Sequence, residues 1–188
     1  ENFSELEKLK SEKVSNEIIK SENDELKALI EEYSLSSDMI LAKVIVDHNS
    51  PFLKSIIINK GSKEDIKIGT NIYDKSYLVG KVVEVNFKTS RVLLITDLNS
   101  NVPVSLAPSN IQAIVSGNGK NSGEIKYVKG NFLNQIEDKS IAYTSGTGYT
   151  YKSGIPVGLV NVIEDQGLKK LNIDFYSNFD QLKYVFAE

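Results

Sequence analysis

Cysteine is absent from this chain of 188 residues, which contains only one methionine, one histidine and one arginine. Without cysteine there are no disulfides or thiolate metal sites, and a single histidine leaves too few ligands for zinc. Arginine is the usual side chain for binding phosphates and bases, so its near absence at a net charge of -3 argues against nucleic-acid binding. The fold must be maintained without disulfides or soft-metal sites.

A run of 18 apolar residues, the length that a membrane-spanning helix needs, is also absent, and no signal peptide begins the chain. Residue 1 is Glu rather than Met, and it lies inside a helical pattern. We therefore expect further sequence before it.

The motifs that suggest catalysis or ligand binding are incomplete. His48 follows a predicted strand in a turn-like stretch, so we predict an exposed loop histidine rather than a catalytic base. Residues 117–122 (Gly-Asn-Gly-Lys-Asn-Ser) resemble a phosphate loop, but Asn121 follows the Lys where a hydroxyl is required. Residues 97–101 begin like a calcium loop, but Val102 replaces the required Gly. We interpret both as polar turns and predict no catalytic residue, metal site or cofactor.

Residues 1–36 contain neither Pro nor Gly and predict one long helix that pairs with another helix. Apolar residues recur at heptad spacing, and Asn occupies two successive a positions, which favours parallel two-stranded pairing. The predicted dimerisation seam comprises Leu9, Asn16, Ile19, Asn23, Leu26, Ile30 and Tyr33. Because Leu6, Val14 and Leu29 lie off this seam, the alternative is an amphipathic helix that packs on its own domain.

From residue 39 the sequence changes to short β-rich runs separated by Gly, Asn, Ser and Pro. These runs indicate an all-β body of sandwich or small-barrel type. Together with the internal repeat described next, they lead us to predict a mainly β protein, with an N-terminal coiled-coil helix followed by two small β-barrels. The predicted strands cover 41–46, 55–58, 71–73, 78–86, 92–96, 102–106, 112–116, 124–127, 140–144, 157–163, 170–175 and 182–186.

One short internal sequence repeat supports two similar barrels. Residues 78–85 (Leu-Val-Gly-Lys-Val-Val-Glu-Val) resemble residues 156–163 (Pro-Val-Gly-Leu-Val-Asn-Val-Ile), and a Gly inside a strand usually marks a bulge or bend. We assign 1–36 to the helix, 38–115 to the first barrel and 116–188 to the second. Whether the barrels are consecutive or one is inserted in the other stays open.

The chain resembles the family of the rod shape-determining protein MreC through a series of short motifs in a specific order. They are Ala-Lys-Val-Ile at 42–45, Ile-Asn-Lys-Gly-Ser at 58–62, Leu-Val-Gly-Lys-Val at 78–82, Ser-Arg-Val-Leu-Leu-Ile-Thr-Asp at 90–97, Val-Pro-Val at 102–104, Gly-Asn-Gly at 117–119, Thr-Ser-Gly at 144–146 and Gly-Ile-Pro-Val-Gly-Leu-Val at 154–160. The chain departs from the family pattern at 137–141, where a Gly-Asp pair is common, and at 151–153, where an aromatic-Pro step is common.

The resemblance implies a non-catalytic scaffold of the bacterial cell-elongation complex. It also implies a single-pass inner-membrane protein, with this region in the periplasm or outside the cell and a transmembrane helix before residue 1. The implied partners are a second copy through the N-terminal helix, the elongation-specific penicillin-binding transpeptidase, MreD, MreB and RodA.

We predict the partner surface on the first barrel, around 50–60 and 73–77, because Phe52, Tyr73 and Tyr77 lie in turn-like segments there. Aromatic residues outside strands are candidate interface anchors. The alternative is that they only cap the barrel ends. Two other functions stay open: a β domain that binds cell-wall glycan or retains a protease-like activity, and an adaptor subunit of an envelope transport complex.

Overall fold

A computed structural model describes residues 2–34, 38–49, 53–165 and 167–188 of the chain. It forms two compact units, Glu1–Met39 and Ile40–Glu188. The first unit contains the helix α1, Asn2–Ser34, close to its predicted limits. Within the described residues, no helix combines the length and the apolar character needed to cross a membrane.

The second unit contains twelve strands in its described part, and each overlaps one of the predicted strands. Alternating apolar residues bounded by turn residues were therefore a sufficient signal for every strand. The strands are β1 (Ile40–Asn49), β2 (Lys54–Ile58), β3 (Asn71–Asp74), β4 (Tyr77–Val85), β5 (Ser90–Leu94), β6 (Asn101–Ala107), β7 (Ile111–Gly117), β8 (Ser122–Val128), β9 (Ile141–Thr144), β10 (Pro156–Asp165), β11 (Leu168–Phe175) and β12 (Tyr184–Ala187).

These strands form two closed antiparallel barrels of six strands each, which confirms the predicted fold class. The first barrel has the strand order β1-β12-β3-β4-β5-β2, and the second has the order β10-β11-β8-β7-β6-β9. Their interiors are filled by buried aliphatic side chains, as expected for small barrels. Examples are Ile56, Ile58, Val82 and Val92 in the first barrel and Val104, Leu106, Val160 and Ile173 in the second.

The second barrel is inserted into the first, between β5 and β12. Strand β12 returns to pair with β1, where Ile40 faces Ala187, and with β3, where Tyr73 faces Phe186. The boundary predicted at residues 115 and 116 therefore needs correction, because it falls inside β7. The first barrel instead consists of β1–β5 together with β12. A four-residue strand carries no local signal that tells which of two barrels it completes.

His48 also needs correction. It was predicted in a loop after a strand, but it lies inside β1, where it faces Ser55 of β2. Strand β1 is longer than its apolar pattern, and its pairing with β2 continues past a register shift between Val44 and Val46 as far as Asn49.

The two repeat segments, 78–85 and 156–163, occupy equivalent places in the two barrels. In β4, Val79 is skipped in the pairing with β3, and in β10, Val157 is skipped in the pairing with β9. The carbonyl of each skipped Val accepts a hydrogen bond from the residue just after the next strand: Ile95 donates to Val79 at 3.0 Å, and Tyr176 to Val157 at 3.1 Å. The prediction that the glycines of the two repeat segments accompany bulges is confirmed. The two bulged strands, β4 and β10, also pack against each other.

The turns that precede β3 and β9 are equivalent as well. The N–H of Gly69 donates to the carbonyl of Val82, and the N–H of Lys139 donates to that of Val160, both at 2.8 Å. Gly69 has φ of 91° and Lys139 has φ of 64°, so both occupy the left-handed region. The departure at 137–141 therefore keeps the turn geometry, with Lys at a position that favours Gly.

Tyr151, in the connection between β9 and β10, links the two barrels. Its buried ring lies 5.5 Å from the Nζ of Lys81 in β4, a cation–π contact. Beside it, Lys152 forms an ion pair with Glu188, the residue after β12. Burial raises the pKa of Tyr151 to about 12, although the Ser100 hydroxyl acts in the opposite direction.

Candidate protein-interaction site

One end of the first barrel carries the features expected of an interaction surface. Because neighbouring strands are antiparallel, this end contains the last residues of β1, β3 and β5 and the first residues of β2, β4 and β12. Residues 176–183, which we call the return segment, pass here from β11 to β12. The segment is attached where the N–H of Val44 donates to the carbonyl of Lys183 at 2.8 Å. The site is therefore built from both barrels.

An aromatic pair lies at one side of this end. The rings of Tyr77, the first residue of β4, and Tyr176, the first residue of the return segment, have centroids 5.0 Å apart and an interplanar angle of 37°. Each side chain is 36% exposed. Burial, followed by the proximity of Tyr77, raises the pKa of Tyr176. The pair presents two amphipathic rings to solvent in an arrangement that suits a protein contact.

Of the three predicted partner-binding residues, only Tyr77 is placed at the described surface. Tyr73 is wrong as a surface anchor, because its side chain is only 3% exposed in β3, and burial raises its pKa to about 12. Phe52 lies outside the described residues. Tyr176 was missed, although the criterion that selected Tyr77, an aromatic residue beside a strand end, applies equally to it.

A cleft of about 270 Å³ lies at the same end of the barrel. Its lining includes the buried side chains of Leu94 and Phe179. Phe179 belongs to the return segment, and its ring packs edge-on against Phe175 with centroids 5.9 Å apart. The lining also includes two residues of each charge: Asp47, Lys54, Lys120 and Asp180. The cleft thus combines apolar side chains with a balanced set of charges.

Asp97 fixes the strand that borders this cleft. Its buried carboxylate accepts a hydrogen bond of 2.7 Å from the N–H of Lys54 and one of 2.8 Å from the N–H of Asn99. The connection between β5 and β6 is thereby attached to the start of β2. The polar turn predicted at 97–101 is confirmed, but no feature of the sequence indicated that Asp97 is buried or that it contacts β2.

The predicted dimerisation seam lies on α1, a compact unit of its own. All side chains from 4 to 24 are exposed, including Leu9, Asn16, Ile19 and Asn23, and Leu26 is partly exposed. Ile30 and Tyr33 lie in the helix, but their side chains are outside the described set. The described seam residues therefore present an apolar-containing face to solvent.

Among the residues that the structure describes, no three His, Asp or Glu side chains are grouped so that they could hold a metal ion. The site offers aromatic, aliphatic and charged contacts, which is the chemistry of protein recognition.

Comparison with known proteins gives consistent matches. The family model described as rod shape-determining protein MreC, barrel core, matches residues 44–187. A curated relative, cell shape-determining protein MreC of Caulobacter vibrioides, is 33% identical over 144 residues, which are 74% of this chain and 40% of the relative. The chain thus spans about two fifths of that relative's length.

Solved structures agree with this match. The crystal structure of MreC from Pseudomonas aeruginosa matches with a TM-score of 0.71 and 29% identity, covering 80% of this chain and 99% of that one. A chain from the complex between penicillin-binding protein PBP2 and MreC of Helicobacter pylori matches with a TM-score of 0.56 at 17% identity, covering 80% of this chain and 97% of that one. At that identity the second match shows the fold alone.

Proposed function

The chain belongs to the family of the rod shape-determining protein MreC, and from this premise we propose that it is a non-catalytic scaffold of the bacterial cell-elongation complex. In this role it maintains rod shape by binding and organising a peptidoglycan transpeptidase at the inner membrane. The observation that carries the proposal is the family match over 44–187, which includes nearly all of both barrels. The relative from Caulobacter vibrioides is named for the same role, cell-shape determination.

The proposed principal partner is the elongation-specific penicillin-binding transpeptidase. It is supported by a structural neighbour that was solved as a complex between PBP2 and MreC. We extend the proposal to MreD, MreB and RodA as further members of the complex. The described region would lie in the periplasm or outside the cell, as part of a protein attached to the inner membrane.

We further propose that two copies pair through α1. The exposure of Leu9 and Ile19 supports this, because a helix that presents aliphatic side chains to water gains stability by covering them. Asn16 and Asn23 at successive a positions favour a parallel pair. Such a dimer would place two partner sites side by side and raise the effective concentration of each.

The proposed partner surface is the end of the first barrel described above, with the Tyr77–Tyr176 pair as its anchor. Exposed aromatic side chains bury a large area on binding at a low cost in side-chain entropy, which makes them frequent hot spots. We keep Phe52 in the same proposal on the sequence alone, because it is an aromatic residue in a turn-like stretch.

Sedimentation velocity of this chain with the extracytoplasmic region of the transpeptidase from the same organism tests the function. We expect a faster-sedimenting complex with a saturable dissociation constant. Tyr77→Ala and Tyr176→Ala should each weaken it at least about tenfold, as expected for hot-spot aromatics. Tyr127→Ala is the matched control, because Tyr127 is an exposed tyrosine on β8 of the second barrel. Absence of a complex would contradict the partner, and equal effects of all three variants would contradict the surface.

A further inference from the structure

Among the described residues, one edge of strand β1, which we call the free edge, is unpaired near the end of the first barrel that carries the Tyr77–Tyr176 pair. β12 pairs with β1 only from Ile40 to Lys43, and the return segment adds one bond, from Val44 to Lys183. The pairing of β1 with β2 continues to Asn49. On the other edge of β1, from residue 45 to 49, no described strand is paired. Backbone N–H and C=O groups on such an edge can pair with another extended chain.

The hydrogen-bond direction along this edge follows from the neighbouring bonds. Asn59, directly after β2, donates its N–H to the carbonyl of Lys43. Going back along β2, every second residue (Ile57, then Ser55) therefore directs its backbone N–H and C=O toward β1. By this alternation Val46 and His48 exchange hydrogen bonds with Ile57 and Ser55, their partners in the register. The N–H and C=O of Asp47 then point away from β2, toward the free edge.

The free edge borders the cleft described above. Asp47 is in the lining, with the return segment and the β7–β8 turn on the other sides, represented by Asp180 and Lys120. The space beside β1 is therefore a groove with walls on two sides. A groove of this kind suits a single extended strand, which needs only one free edge to pair with.

The side chains around the edge fit an extended polypeptide. Ile45, Val46 and Leu53 are exposed aliphatic residues on or beside the β1–β2 hairpin. The buried side chains of Leu94 and Phe179 provide an apolar surface in the cleft for one large side chain. Lysines and aspartates around it balance in charge, so they match a strand that carries both signs rather than a polyanion or a polycation.

We propose that the β1 edge, residues 45–49, is a docking site for an extended segment of the partner protein, which adds a strand to the first barrel and places one large apolar side chain in the cleft. Backbone hydrogen bonds supply affinity in this mode, and the pocket for one side chain supplies selectivity. The inference rests on the proposed function, because the segment is assigned to the transpeptidase partner, and it adds a second contact to the Tyr77–Tyr176 pair.

Two edge variants and one matched control test the proposal by affinity. Asp47→Pro removes the outward N–H, a change that edge strands tolerate. Val46→Lys adds a charge at a residue that is 41% exposed, and Ile163→Lys makes the same kind of change on β10 at a residue that is 43% exposed. With the extracytoplasmic region of the transpeptidase as the probe, we expect both edge variants to raise the dissociation constant at least about tenfold and the control to change it less than about twofold.

Hydrogen exchange supplies the second measurement. In the complex with the unaltered chain, the amide of Asp47 should exchange at least about tenfold more slowly than in the free chain, since strand addition occupies its N–H. A complex that forms while this exchange rate and the edge-variant affinities stay unchanged overturns the inference and leaves the proposed function standing. Absence of any complex overturns both. Protection of the same amide in the chain alone at high concentration assigns the edge to a second copy and also overturns the inference.

Discussion

The carboxylate of Asp97 accepts a hydrogen bond of 2.7 Å from the backbone N–H of Lys54, which lies 43 residues earlier in the chain. Lys54 begins β2 at the cleft, and the N–H that Asp97 binds points toward β5, which ends at Leu94. Asp97 therefore takes the place of a strand partner where the ladder stops. This contact holds the β5–β6 connection, where the chain passes from the first barrel to the second, against the start of β2 at the proposed docking surface.

Replacement of Asp97 by Ala should destabilise the protein strongly. The N–H groups of Lys54 and Asn99 lose the buried carboxylate that accepts their part-buried hydrogen bonds, and a donor left unsatisfied by burial costs about 1–3 kcal/mol. We expect the free energy of unfolding in urea to fall by about 2–4 kcal/mol.

The control for this variant is Asp138→Ala. Asp138 also accepts a hydrogen bond from a strand N–H, that of Val162 at 2.9 Å, but at an exposed position where water can replace it. Its loss should cost less than about 1 kcal/mol. Equal losses for the two variants would contradict the explanation from burial.

Lys139→Gly should stabilise the protein. Lys139 has φ of 64° in the turn before β9, whereas the equivalent turn of the first barrel has Gly69. Relief of the left-handed strain, which costs about 1–2 kcal/mol, outweighs the greater entropy of glycine in the unfolded chain. The free energy of unfolding should rise by about 0.5–1 kcal/mol, measured by urea titration.

Gly69→Ala tests the same reasoning in reverse. A Cβ at Gly69 meets no atom within 4 Å, so the substitution adds backbone strain without a collision. We expect a loss of about 1 kcal/mol. A neutral result for both variants would show that these turns relax and that the two barrels do not need left-handed residues there.

The sequence contained enough information for the strands but not for their arrangement. The runs at 78–85 and 156–163 predicted bulged strands, because a Gly within an alternating pattern has a local backbone cause. The nesting depends on Ala187 pairing with Ile40 across almost the whole second unit, and no local pattern encodes such a contact. Tyr73 and Tyr77 show the same limit at the site, since similar local contexts gave one buried and one exposed ring.

Alkaline pH should destabilise the protein, partly through Tyr151. Burial raises its pKa from an ordinary 10.0 to about 12, so the unfolded chain loses this proton first as the pH rises. The contribution of the neutral hydroxyl to stability is complete below pH 10 and is lost as the pH rises toward 12. In Tyr151→Phe, the slope of unfolding free energy against pH in this range should be shallower by about 1.4 kcal/mol per pH unit.

Tyr149→Phe is the control for the alkaline experiment, because Tyr149 is fully exposed and folding does not bury its hydroxyl. Its slope between pH 10 and 12 should equal that of the unaltered chain. Urea titrations at intervals of half a pH unit would measure all three slopes. A Tyr151→Phe slope identical to that of the unaltered chain would contradict the assignment.

Ile19→Asp should weaken the proposed pairing of α1, whereas Ile18→Asp should not. The two residues are neighbours in the same helix with almost equal exposure, 57% and 61%, so general hydrophobicity and helix propensity are matched. Only Ile19 occupies a d position of the predicted seam, where an Asp would lie next to the same residue of the other helix in a parallel pair. We expect Ile19→Asp to weaken dimerisation at least about tenfold in sedimentation equilibrium and Ile18→Asp to change it less than about twofold. Equal weakening by both variants would favour an interface wider than this seam, and no change with either variant in a chain that still dimerises would move the dimer contact from α1 to the barrels.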